Sequence, residues 1–240
     1  MRLTHLSIKW KILALTLLGP IIVGSILAWQ RINDIREGAR EAILSKSVGI
    51  VLMAEAARDQ MAKKLQNGVI RPFDQLTAAN IMEAVPVITA IDAAASKAQQ
   101  AGFEFRVPKL APRNAQNTPT DLERTVLEEL KRDELNEKIV IEPHQIRYFR
   151  PIRLTQECLY CHGDPVGSRD VTGGIKEGWK AGEMHGAFEI ISSLDEANKA
   201  VNRARWHVIG TVAAIVTALV AVSVYLVQSG IVRPVHQVNQ

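Results

Sequence analysis

The sequence is poor in the groups that most enzymes and metal centres use. Only two cysteines occur in 240 residues, so no second cysteine pair exists to complete a zinc site. No nucleophile–base set, no glycine-rich phosphate loop and no second metal cluster can be read along the chain, and an enzyme is not expected. Internal repeats and low-complexity tracts are also missing. Charge is absent from two stretches, residues 12–29 and 208–227, each about as long as the ~18 apolar residues that suffice to cross a bilayer.

Charge elsewhere is almost balanced. All 25 acidic residues, and 25 of the 29 basic ones, lie between the two uncharged runs. The formal +4 comes from Arg2, Lys9, Lys11 and Arg233, which is the positive bias of two cytoplasmic flanks rather than a nucleic-acid surface. No nucleic-acid partner is expected. Residues 26–29 offer no small-x-small cleavage site, so the first run reads as an uncleaved anchor. Trp10, Trp29 and Trp206 stand near the span ends, where interfacial aromatics belong. The expected organisation is a cytoplasmic tail over 1–11, a first span over 12–30, an outer domain over 31–206, a second span over 207–228 and a cytoplasmic linker over 229–240. In a bacterium the outer domain faces the periplasm, an oxidising compartment.

The two cysteines carry the sharpest signal. Cys158-Leu159-Tyr160-Cys161-His162 is a C-x-x-C-H pentapeptide, the spacing of a c-type haem attachment site. Each thiol forms a thioether to one vinyl group, and the following histidine ligates the iron. A redox dithiol usually opens a helix after a thioredoxin-like strand, and gives the histidine no role. The expectation is one covalent haem c, anchored by Cys158 and Cys161, with His162 as proximal ligand. With both thiols used, candidates for the other iron ligand are His185, which we favour, and His144, Met53, Met61, Met82 and Met184. An open site that takes a small gas is the alternative. Arg113, Arg150 and Lys180 are candidate partners for the propionates, because cations match carboxylates. Tyr148 and Phe149 alternate on a strand, so one is expected in the core or against the porphyrin and the other facing away.

Periodicity organises the rest. Helical spacing over residues 31–66 continues out of the first span and stops at Asn67-Gly68. A second helix is expected over 76–100, bent at Pro86. A short strand is expected over 103–107, and a helix capped by Thr118 with Pro119 at its first position. Two strands are expected over 138–142 and 145–154, then a glycine-rich loop over 166–182 and a strand over 183–192. Ser193-Leu194-Asp195-Glu196 reads as a capping box that opens the last helix. The fold class is therefore α+β, with long helices flanking an antiparallel sheet.

Several stretches of this outer segment resemble a known family, the periplasmic single-haem sensor domains with a PAS-like core found in bacterial transmembrane receptors. They are residues 112–119 (Pro-Arg-Asn-Ala-Gln-Asn-Thr-Pro) with Glu123, residues 148–152 (Tyr-Phe-Arg-Pro-Ile), residues 158–165 around the haem motif, and residues 177–188 from Glu177 through Trp179 to His185 and Phe188. The usual Arg-Asn-Pro departs to Arg113-Asn114-Ala115. Ile231-Val232-Arg233-Pro234-Val235 resembles the start of a HAMP linker. The resemblance implies a PAS-like sheet and the input half of a receptor of the methyl-accepting chemotaxis kind. It also implies a homodimer in a lipid bilayer, with a downstream HAMP and output module. The signal would be redox state or a small gas ligand. A membrane-anchored electron-transfer cytochrome and a solute-binding chemoreceptor domain are the other readings; the HAMP-like proline after a second span favours the receptor.

Overall fold

The computed structural model describes residues 8–229. The HAMP-like stretch lies outside them. The chain divides into two compact units, Arg40–Asp195 and the pair of ends Met1–Ala39 and Glu196–Gln240. The second of these holds the first part of α1 (Ile8–Gln66), with Pro20, and nearly all of α6 (Asp195–Val227); α1 from Arg40 on belongs to the first. Gly24 faces Val212, whose Cγ1 would stand 3.1 Å from an added Cβ, so glycine permits a close approach of α1 to α6 here. Among the described residues one helix, over Asp195–Leu226, is long and apolar enough to cross a membrane, at mean hydropathy 2.3.

The unit Arg40–Asp195 is a mixed α+β domain. It is built on α2 (Ile81–Ala84), α3 (Pro86–Gln100), β1 (Glu104–Arg106), α4 (Asp121–Arg132), β2 (Lys138–Ile141), β3 (Gln145–Arg153), the one-turn α5 (Leu159–His162) and β4 (Met184–Ser193). The strands form one antiparallel sheet of order β1-β4-β3-β2. The expected helix over 76–100 is broken: Val85 is extended, at φ −74° and ψ 118°, and α3 begins at Pro86. Proline lacks the N–H an interior position needs but suits a first turn. The cap of α4 also differs from expectation. Thr118 closes a short turn over Ala115–Asn117, and Thr120 is the N-cap, in a capping box with Glu123. At α6 the Ser193 hydroxyl accepts from the Asp195 amide at 3.1 Å, one residue nearer than the expected box.

Both faces of the sheet are covered, which corrects the expectation that Tyr148 or Phe149 faces away. Val51 and Ala54 of α1 and Ala90, Ala94 and Ala98 of α3 pack with Tyr148, Phe188 and Ile190 on one face. The small alanines recur every fourth residue, so one stripe of α3 seats closely on its neighbours. Val126, Leu127 and Leu130 of α4 pack with Phe149 and Ala187 on the other face. Tyr148 and Phe149 are thus both fully buried.

The register of β3 and β4 breaks once. Ile152 pairs with Gly186 but Arg153 pairs with Met184, so His185 is the extra residue of a β-bulge. Bulges re-aim side chains and favour functional sites. This one puts Met184 in the same cluster as Ala187 and releases His185 from the ladder.

Candidate functional site

Below the sheet, α2, α3, the segment after β1 and the α5 turn enclose a cavity of about 350 Å³, within the ~300–1,000 Å³ range of small-molecule and cofactor sites. Its wall is mostly apolar, from Met82, Val85, Val87, Ile91, Val107 and Ile152. Cys158, Cys161, His162 and His185 meet on the same wall. The sequence places the cysteines and His162 in one motif; that His185 joins them is a result of the fold.

The motif sits on a single turn. Thr155 Oγ1 lies 3.4 Å from Cys158 Sγ, and the Tyr160 ring packs 5.2 Å from Phe73, which belongs to a small apolar cluster with Ile81 and Ala84. Both cysteines are half-buried free thiols, and burial, with Asp170 next, pushes the Cys161 thiol up. Gly163 ends the turn by donating to the Leu159 carbonyl at 2.8 Å. A Cβ there would stand 2.7 Å from that oxygen, so only glycine lets the chain close so tightly behind the histidine.

His162 is oriented through one nitrogen. Its Nδ1 lies 2.9 Å from Glu177 Oε2, and Trp179 N–H donates to its backbone carbonyl at 2.9 Å. A carboxylate holding Nδ1 fixes ring and tautomer and leaves Nε2 for another partner, as in metal sites. Burial lowers the His162 pKa, against the pull of Glu177; Glu177, against its own burial, is held below its ordinary value by Arg113 first and then by His162.

Arg113 locks this assembly. Its guanidinium donates to Asp170 at 2.7 Å, to Glu177, and to the carbonyls of Cys161 and Ile175 at 2.9 and 2.6 Å. Asp170 is further held by Thr172 Oγ1, Thr172 N and Gly174 N, and its pKa falls to about 2 because these bonds outweigh burial. Arg113 therefore ties the loop before α4 to the motif turn and to the 163–182 loop.

His185 faces His162 with ring centroids 4.7 Å apart, and the Trp179 ring meets it edge-on at 5.2 Å. The residue is buried, and neither ring nitrogen has a hydrogen-bond partner among the described residues. Burial first, then Lys109 and His162, lower its pKa to about 3, so the imidazole is neutral and both nitrogens are uncompensated. Buried polar atoms are paired in the great majority of cases, and an orphaned neutral imidazole facing a cavity fits a metal-bearing group there.

Of the other expected site residues, most fall elsewhere. Tyr148 does not line the cavity; its hydroxyl donates to Glu137 at 2.8 Å. Arg150 bonds Glu55 of α1 at 2.9 Å, and Lys180 bonds exposed Asp164; neither lines the cavity. Met82 lines it, Met53 is exposed, Met184 is packed against the α4 side of the sheet, and His144 is exposed beside Asp195. Sequence reasoning gave no role to Glu177, Asp170 or Trp179; Glu177 and Trp179 stand within one of the resembling stretches.

A family model described as Tll0287-like matches residues 36–193. The crystal structure of the cyanobacterial haem-protein Tll0287 is similar, with a TM-score of 0.48 at 21% identity over 62% of this chain and 94% of that one. No curated protein matches.

Proposed function

The chain belongs to the Tll0287-like family, and from that premise we propose that it is the input half of a transmembrane receptor whose sensor domain holds one covalent haem c. The carrying observation is the His185 imidazole, buried and unpartnered among the described residues, 4.7 Å from the His162 ring and lining the same cavity as both motif cysteines. Cys158 and Cys161 are the thioether anchors. His162 ligates through Nε2 while Glu177 and Arg113 fix its ring, and His185 is the second iron ligand. Membership of a family named for a haem-protein agrees with this assignment. Haem would supply an iron that changes oxidation state, or that takes up a small gas where His185 gives way, at a potential set by its ligands and their hydrogen bonds.

The domain's own residues offer a route from the cavity to α1. Gln66 donates to Glu157, beside the motif. Arg150 of β3 donates to Glu55 at 2.9 Å, and the buried hydroxyls of Ser47 and Ser192 stand 3.0 Å apart. A change at His185 or His162 shifts the β4 bulge and the motif turn, and these links carry the shift to α1. A stimulus transmits only as far as it favours one arrangement over the other, and helix shifts of ~1–2 Å are the usual scale. We read the domain as PAS-like and periplasmic, between a first span over 12–30 and a second in α6, in a homodimer that feeds a HAMP linker and output module. Its role is signalling rather than catalysis.

The test is the visible spectrum of the full chain expressed with c-type maturation machinery. The wild type is expected to be low-spin and six-coordinate, and His185→Ala high-spin and able to bind carbon monoxide. An unchanged low-spin spectrum in His185→Ala removes His185 as ligand; absence of haem from the wild type removes the whole reading.

A further inference from the structure

The cations near the cavity divide into those already engaged and those not. Arg113 is saturated by two carboxylates and two carbonyls. Lys109 and Arg153 both line the cavity, and neither side chain has a hydrogen bond or ion pair among the described residues. Lys109 is half-buried, and its pKa is lowered by that burial and by Arg113.

Its position is enforced by backbone. Lys109 N–H donates to Asn117 O at 3.0 Å, and the preceding Pro108 carbonyl accepts from Ala187 N–H at 3.1 Å. The segment lies so close to β4 that a Cβ on Gly186 would stand 2.8 Å from both Pro108 O and Lys109 Cγ. Glycine next to His185 is thus what lets the lysine stem cross the strand beside the imidazole. Arg153 reaches the cavity from β3, where it pairs with Met184 at the bulge. An ammonium held half out of water in an apolar wall, with Glu177 acting on it only through space and no carboxylate bonded to it among the described residues, is costly unless the occupant brings the anion.

We propose that Lys109, with Arg153 as its second, is the carboxylate seat of this cavity; resting on the haem reading above, the carboxylates are the haem propionates. The residues that sequence nominated for this task, Arg113, Arg150 and Lys180, serve the protein's own carboxylates instead.

The test uses the full chain in detergent, produced without maturation machinery, and two probes: iron protoporphyrin IX and its dimethyl ester. A charge-assisted bond predicts that the wild type binds the diacid about tenfold or more tighter than the ester. Lys109→Met is expected to bring the ratio toward one by weakening the diacid alone, Lys109→Arg to keep it, and Arg153→Gln to lower it in part. Lys180→Gln is expected to match the wild type. A ratio unchanged in both Lys109→Met and Arg153→Gln overturns the seat while leaving the haem reading intact. Failure of the wild type to bind either porphyrin overturns both. Should Lys109→Met not fold, the ratio in Arg153→Gln and Lys109→Arg decides.

Discussion

Replacing Glu189 by glutamine is expected to stabilise the domain above neutral pH and to do nothing at pH 4. Glu189 and Glu123 are both fully buried, on β4 and α4. Glu123 accepts from Thr120 N–H at 2.7 Å, from Arg106 Nε at 2.8 Å and from Arg147 Nη2 at 2.9 Å, and its pKa is lowered. Glu189 Oε1 accepts from Arg147 Nε at 2.6 Å, but Oε2, 3.9 Å from Arg106 Nε, has no hydrogen-bond donor among the described residues. Burial, reinforced by Glu123, raises the Glu189 pKa from 4.5 to about 8. A proton on Oε2 converts the orphan into a donor toward Glu123. Because the folded pKa lies above the unfolded one, the native state binds the extra proton. Stability from this group is full below about pH 4.5, declines as pH rises to about 8, and is flat beyond. At about 1.36 kcal/mol per unit the full loss is on the order of 5 kcal/mol for Glu189 alone, and the lowered pKa of Glu123 opposes it at the acid end. Glutamine mimics the protonated form at every pH: Oε1 still accepts from Arg147 and Nε2 donates to Glu123. Glu189→Gln is therefore expected to gain a few kcal/mol over wild type at pH 8–9 and to converge with it near pH 4–5. Thermal unfolding by circular dichroism across that range, with amide exchange of β3 and β4, reads the difference. A uniform destabilisation of Glu189→Gln at all pH values would refute the shared proton.

Three further outcomes follow from the loop lock. Arg113→Leu leaves the buried Asp170 with its bonds from Thr172 and Gly174 but no counter-charge, so a loss of about 2–3 kcal/mol is expected, read as loss of amide-exchange protection at Thr172, Gly174 and Trp179. Gly174→Ala forces a Cβ to 2.5 Å from Arg113 Nη1 and 2.8 Å from Asp170 Oδ2; overpacking there is expected to cost about 1–3 kcal/mol, with proteolysis of the 163–182 loop accelerated and the sheet core intact. Asp170 titrates at about 2 in the fold against 3.8 ordinarily. Its contribution is full above pH 3.8 and is lost as pH falls through 2; Asp170→Asn should flatten the acid limb of the stability profile.

The strands β2 and β3 were legible from the turn residues Pro143-His144 between them, although burial alternates along β2 alone, and α1 ends where Asn67-Gly68 demands, with Gly68 at φ 70°. The motif was legible because its chemistry is local: two thiols and an imidazole within five residues. What escaped depends on partners distant in sequence. A bulge is a mismatch between two strands, so nothing in β4 alone shows that His185 is its extra residue. Arg113 reads as a candidate partner for propionates until Asp170 and Glu177 arrive from 57 and 64 residues away. Lys109 stands in a loop with no pattern around it, and its lack of a partner is a property of the folded cavity. Tyr148 and Phe149 misled because alternation assumes one solvated face, and here helices cover both.

The most direct test of the account is a pyridine haemochrome on the full chain, matured with c-type machinery and washed with acid-acetone. The account predicts one haem per chain that survives the wash in the wild type and is lost from the Cys158→Ser/Cys161→Ser double variant. A wild-type chain that retains no haem, with Cys158 and Cys161 joined in a disulfide, would contradict it.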